Sequence, residues 1–202
     1  TFFLVLTIGL TAVYPPGAGM MARLAIGLVL SIMVYAGGPI SGGHYNPAVT
    51  IGVWLRGGCS PSSVLPYIMA QAAGALLAAL LTAFLTEGES VDLSLSTVPA
   101  LLAEFLFTFA LVFVVLHVAT AKWAEGNSYF GLCIGGTVTV GAYSVGAISG
   151  GAFNPAVALG LVVMGAVPLM KIWIYLVACF AGGILAALFF NKVTLARDSS
   201  PR

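Results

Sequence analysis

Apolar residues come in long runs along this chain, and the lengths of those runs are informative. A bilayer-spanning helix needs about 20 mostly apolar residues, because lipid supplies no hydrogen-bond partner and every backbone group must be satisfied within the helix. Runs of that order cover residues 20–37, 64–85, 98–120, 128–147 and 168–190. A further run begins at Thr1 and fades at Tyr14, Pro15, Pro16 and Gly17, several residues short of a span. Since the chain does not begin with Met, more residues are expected ahead of it. That run lacks the basic flank of a cleaved signal peptide, and other spans follow it at once. Two apolar stretches, 47–55 and 155–164, are only about half as long as a span requires. The pattern predicts an all-α integral membrane protein with six transmembrane helices and two re-entrant half-helices.

Composition agrees, with 60% hydrophobic and 6% charged residues and a formal net charge of +1. Soluble domains carry roughly 25% charged residues to solvate their surface, so lipid is the expected surroundings here. No cluster of Lys and Arg offers a footprint for nucleic acid. Cys59, Cys133 and Cys179 are an odd, widely spaced set and read as small packing residues, with neither a disulfide framework nor a zinc site. One intramembrane carboxylate, Glu104, and two histidines, His44 and His117, cannot assemble a nucleophile-base pair or a metal cluster. An enzyme is disfavoured, no cofactor is expected, and an ion-coupled transporter would need more midplane ligands. Glu87, Glu89 and Asp92 dominate the connection after the third span. Arg56, Lys122, Lys192, Arg197 and Arg202 fall on the other side, against only Arg23 and Lys171 with the acids. By the positive-inside rule both termini face the cytoplasm.

The chain repeats itself. Residues 40–49 read Ile-Ser-Gly-Gly-His-Tyr-Asn-Pro-Ala-Val and residues 148–157 read Ile-Ser-Gly-Gly-Ala-Phe-Asn-Pro-Ala-Val, an offset of 108. The same offset aligns Ala70, Ala73, Gly74, Leu77 and Ala78 with Ala178, Ala181, Gly182, Leu185 and Ala186. The division is a first repeat over 1–97, a second over 98–190 and a cytoplasmic tail over 191–202. Each copy holds three spans, an odd number, so the second enters the membrane from the opposite side. Inverted repeats of this kind are related by a pseudo-twofold axis in the membrane plane, with their broken segments meeting near the midplane.

Asn46 and Asn154 stand where a helix N-cap belongs, and Pro47 and Pro155 occupy the first helical position, where a missing N–H is harmless. Ala48 and Ala156 complete the two tripeptides. The Ser-Gly-Gly stretches ahead of them supply non-helical backbone, tolerated at membrane depth only when buried in protein or lining a wet cavity. Two half-helices then start nose to nose, with their positive dipole ends converging. That is a poor place for a cation, while an Asn amide still donates to a neutral oxygen. With two such tripeptides, each after Ser-Gly-Gly and each opening a half-length segment, the chain closely resembles the aquaporin, or major intrinsic protein, family over nearly its whole length. The resemblance implies one pore per subunit, four subunits to an assembly, and passive movement of water or small uncharged solutes.

It also implies the residues that set selectivity, placed by their distance from the two Asn. The filter would be Ile26, Ala142, Gly151 and Val157, with Tyr143 the alternative to Ala142 if the register slips by one. Most members carry Arg where this chain has Val157, so the expected filter is small, apolar and without a side-chain donor. Wide permeability follows, with backbone carbonyls of Gly42, Gly43, His44, Tyr45, Gly150, Ala152 and Phe153 as the main polar contacts. Members of the plant vacuolar subgroup similarly have Val there, which implies passage of water with urea, ammonia or hydrogen peroxide. Glycerol-type members usually have Asp where Ala158 stands. A strictly water-selective pore, and more remotely a junctional or transporter role, are the alternatives. Glu104 is expected to brace a re-entrant loop, as a matching Glu does in the family, and its repeat mate would fall ahead of Thr1. Gln71 is expected to make an interhelical hydrogen bond. His44 resembles the loop His that lines or braces a vestibule, and His117 is read as interfacial. Gly74, Ala78, Gly182 and Ala186 form small-xxx-small pairs suited to helix contact.

Overall fold

The computed structural model describes residues 1–14, 19–86 and 90–198, without the side chains of 195–198. Pro15, Pro16, Gly17, Glu87, Glu89 and Arg202, and the side chain of Arg197, lie outside the described residues. Every regular element among the described residues is helical. The helices are α1 (Phe2–Ile8), α2 (Ala22–Ser41), α3 (Pro47–Leu55), α4 (Pro61–Thr86), α5 (Thr97–Thr120), α6 (Phe130–Ser149), α7 (Pro155–Val163) and α8 (Ile172–Asp198). Among the described residues, five stretches are long and apolar enough to cross a bilayer: Gly19–Ser41, Pro61–Thr86, Thr97–Thr120, Phe130–Ser149 and Leu169–Thr194. The first helix is shorter, α1 running directly into a π-helical turn at Gly9–Val13. α8 continues to Asp198, past the 190 boundary, so the segment expected as a tail begins as helix.

The 108 residues between Asn46 and Asn154 also separate the equivalent ends of α2 and α6, and of α3 and α7. The stop signals repeat with them. Gly42 and Gly150 end α2 and α6 in the left-handed region, at φ 87° and 83°, each sending its N–H back 2.9 Å to a carbonyl four residues earlier. A side chain there would be strained, which is why glycine closes both helices. One residue after the second glycine of each pair, the chain passes through His44-Tyr45 or Ala152-Phe153 and starts a half-helix on an Asn cap.

Packing follows the same symmetry. α2 lies against α6, α5 against α8 and α1 against α4, while each half-helix rests on the last long helix of the other half, α3 on α8 and α7 on α4. Small residues set the closest crossings. A Cβ on Gly135 would run into the Gly27 carbonyl and the Ser31 hydroxyl, and one on Gly182 would lie 2.5 Å from the Phe105 carbonyl. Ala78 and Ala186 are fully buried at equivalent places. Backbones approaching this closely gain dispersion contact, the main source of helix adhesion where lipid is as apolar as the side chains.

Candidate functional site

Asn46 and Asn154 do two jobs each. As caps they hold extended φ values of −153° and −159°, and their Oδ1 atoms accept from the N–H of Ala48 and Ala156, both at 2.9 Å; Asn154 also takes Val157 N at 3.4 Å. Their Nδ2 atoms cross over: Asn46 donates to the Phe153 carbonyl at 2.8 Å and Asn154 to the Tyr45 carbonyl at 3.0 Å. The two half-helix noses are thus tied by a reciprocal pair of hydrogen bonds. An amide nitrogen carries two donors, so each Asn keeps a second N–H beyond this tie. The Tyr45 and Phe153 carbonyls, expected from the sequence to line a pore, are the acceptors of these crossing amides. Neither residue is among those lining the two cavities described below. Among the described residues, these two are the non-glycine positions at positive φ, 51° and 47°.

The loops are braced by different chemistry. Glu104, fully buried on α5, accepts from Ser149 Oγ at 2.7 Å, Ala152 N at 3.0 Å and Phe153 N at 2.6 Å. Cys179 Sγ stands 3.7 Å from the same carboxyl. In the first loop no acid does this work among the described residues. Tyr67 Oη instead donates to the Ser41 carbonyl and accepts from His44 N, and Gln71 Nε2 donates 2.9 Å to Thr50 Oγ1, linking α4 to α3. Thr50 Oγ1 also lies 3.2 Å from His44 Nδ1, and the His44 ring stacks on Tyr67 at 4.6 Å. Burial pushes the His44 imidazole, in the loop between helices, down to about 4. Tyr175 donates to the Ser149 carbonyl at the place equivalent to Tyr67. His117 is half-buried, edge-on to Phe113 and Phe190 with ring centroids at 4.1 and 4.7 Å.

The knot lies in the wall of a cavity of about 650 Å³, which meets a second one of about 270 Å³. Asn46, Asn154, Gly42, Gly43, His44 and Ala152 line the larger; Ala142 and Gly150 line the smaller. Four residues line both: Ile8, Ile26, Gly151 and Val157. Three of these are filter positions implied by the resemblance. Ile8 escaped sequence reasoning, because a hydrophobic residue on a short apolar helix carries no signal of what it faces. Ala142 is buried and lines only the smaller cavity, next to that shared ring. Tyr143 lines neither, and its Oη donates to the Met20 carbonyl at 2.6 Å. A second residue that the sequence did not single out for the site, Arg23, is also in the smaller cavity's wall, with its guanidinium 5.4 Å from the Tyr143 ring centre.

Opposed half-helices, tied at their N-termini in the wall of a cavity within a helical membrane bundle, define the aquaporin-like class. The chain belongs to the Major intrinsic protein family, which it matches over residues 1–190. It is similar to Nodulin-26 of Glycine max, 38% identical over 173 residues, covering 83% of this chain and 63% of that protein. It is also similar to the Glycerol uptake facilitator protein-like 6 of Lactiplantibacillus plantarum, 33% identical over 209 residues with 98% and 95% coverage. Among solved structures, the aquaglyceroporin from Plasmodium falciparum has the same fold, with a TM-score of 0.77 at 21% identity, covering 98% of this chain and 92% of that one. The chain spans 63% of the length of Nodulin-26 and 65% of Aquaporin NIP1-4 from Oryza sativa subsp. japonica.

Proposed function

We propose that this protein is a passive channel for water and small neutral solutes, with an aliphatic filter. The observation that carries the reading is the meeting of two cavities at Ile8, Ile26, Gly151 and Val157, beside the two Asn caps. A permeant molecule moving between the cavities crosses a ring whose side chains are all aliphatic. Its polar contacts there come from backbone, and in the larger cavity from the second N–H of each Asn. Converging half-helix dipoles disfavour cations, and burying a charge in a bilayer costs about 2.5 kcal/mol or more. Neutral solutes such as urea, ammonia, hydrogen peroxide or glycerol avoid both penalties.

The division into halves 1–97 and 98–190 is part of the same proposal, since three spans per half invert the second. Lys122 and Glu125 rim the larger cavity while Arg23 lines the smaller, an arrangement consistent with the larger one opening to the cytoplasm, on the side of both termini. A homotetramer with one pore per subunit is the assembly we expect from the family.

The test is stopped-flow light scattering on proteoliposomes, comparing water, urea and glycerol flux for the unmodified protein and Val157→Arg. A guanidinium in the ring should narrow it and lower solute uptake by roughly tenfold relative to water. Water flux without solute uptake in the unmodified protein would mean a strict water pore, and no flux of either would remove the channel reading.

A further inference from the structure

The shared ring has no polar side chain, yet its neighbour does. Of the described residues in the wall of the smaller cavity, Arg23 alone carries a charge, and it is also the only one with a polar side chain. It lies on α2 three residues before Ile26, about 4.5 Å outward along the helix axis. The residue is half-buried. Its Nε would be 3.6 Å from a Cβ on Gly146 of α6, and its guanidinium faces the Tyr143 ring, itself tethered through Oη to Met20. Gly146 and Ala147 offer no competing bulk, so the guanidinium occupies the wall that α2 and α6 share. Asp92, between the cavity-lining Val91 and Leu93, is exposed and outside that wall, so among the described residues the wall's charge is that of Arg23.

We propose that Arg23 is a specificity-determining residue of this pore, rejecting cations in the smaller cavity one helical turn before the aliphatic ring. The inference rests on the channel reading above. A fixed cation in a narrow, low-dielectric cavity raises the energy of a second cation far more than that of a neutral molecule, because the field is focused between apolar walls. Tyr143 is then a positioning residue, holding the guanidinium over its ring.

The test measures methylammonium, proton and urea flux in proteoliposomes, each as a ratio to water flux in the same vesicles. For Arg23→Leu the methylammonium and proton ratios should rise by roughly tenfold while the urea ratio changes little, and Arg23→Glu should raise them further. Arg23→Lys should keep both ratios near those of the unmodified protein. In the double variant Arg23→Leu with Val157→Arg, a charge in the ring replaces the one lost from the cavity wall and cation rejection should be restored. That rescue separates a charge effect from a distorted fold. Unchanged cation ratios in Arg23→Leu vesicles that conduct water would overturn the role of Arg23 and leave the channel reading standing. Absence of water flux in the unmodified protein would overturn both.

Discussion

At the scale of single residues, Glu104 shows how a buried acid stabilises irregular backbone. Its two oxygens accept from Ser149, Ala152 and Phe153, so the chain leading into α7 has its N–H groups satisfied away from water. Removing the acceptor leaves those donors buried, at a cost of about 1–3 kcal/mol for each backbone N–H. Glu104→Ala should therefore lower the thermal unfolding midpoint in detergent clearly. Glu104→Gln should lower it less, since one oxygen remains but an amide N–H now faces a donor. The Phe153 carbonyl holds Asn46, so water flux should fall along with stability. Equal midpoints for all three proteins would sink this account. Charge and burial made Glu104 legible in the sequence as a brace. Its donors were not legible, because Ser149 and Phe153 lie 45 and 49 residues away and no local spacing links them.

Among the elements, the α2–α6 crossing connects packing to the pore. Gly27 and Gly135 meet there, each against the other's backbone oxygen, and Ile26 of the shared ring is the residue next to Gly27. Gly135→Leu should push the two helices apart, with an overpacking cost of about 1–3 kcal/mol, and move Ile26 outward, raising urea flux relative to water. Gly136 is the control: a Cβ there meets nothing within 4 Å, so Gly136→Leu should leave both the unfolding midpoint and the flux ratio alone. Identical behaviour of the two variants would mean that the crossing does not set the pore. Element existence was readable in the sequence because run length and the Asn-Pro start are strong signals. The half-helix expected over 47–55 is α3, and the one expected over 155–164 ends one residue earlier, at Val163. Rotation was not readable. Whether Ala142 or Tyr143 turns inward depends on α6 docking against α2, and the pore-facing Ile8 depends on where α1 passes into its π-helical turn.

In the whole molecule, the two halves are interlocked rather than side by side. α3 rests on α8, α7 on α4 and α2 on α6, and the crossing Asn bonds pass between the same two halves. Within each half, by contrast, the half-helix packs chiefly on its own last helix, α3 on α4 and α7 on α8. A half expressed alone would expose the Gly27 or Gly135 groove and would leave the Asn46 or Asn154 amide, and the irregular backbone before it, without partners at membrane depth. Such groups are tolerated there only inside protein. Transmembrane helices insert individually and then associate, so continuity of the chain between the halves is not what holds them together. Cutting within the connection between α4 and α5 should therefore be tolerated. Residues 1–90 and 91–202, produced together with a tag on one, should co-purify and restore osmotic water flux in proteoliposomes, whereas either alone should be degraded or aggregate. Asn46→Ala in the first fragment should weaken recovery of the pair, through loss of the α3 cap, about 1 kcal/mol, and of one of the two crossing bonds. Stable, monodisperse single halves would show instead that each half carries its own core, and the twofold knot at the Asn caps would then be a feature of the pore alone.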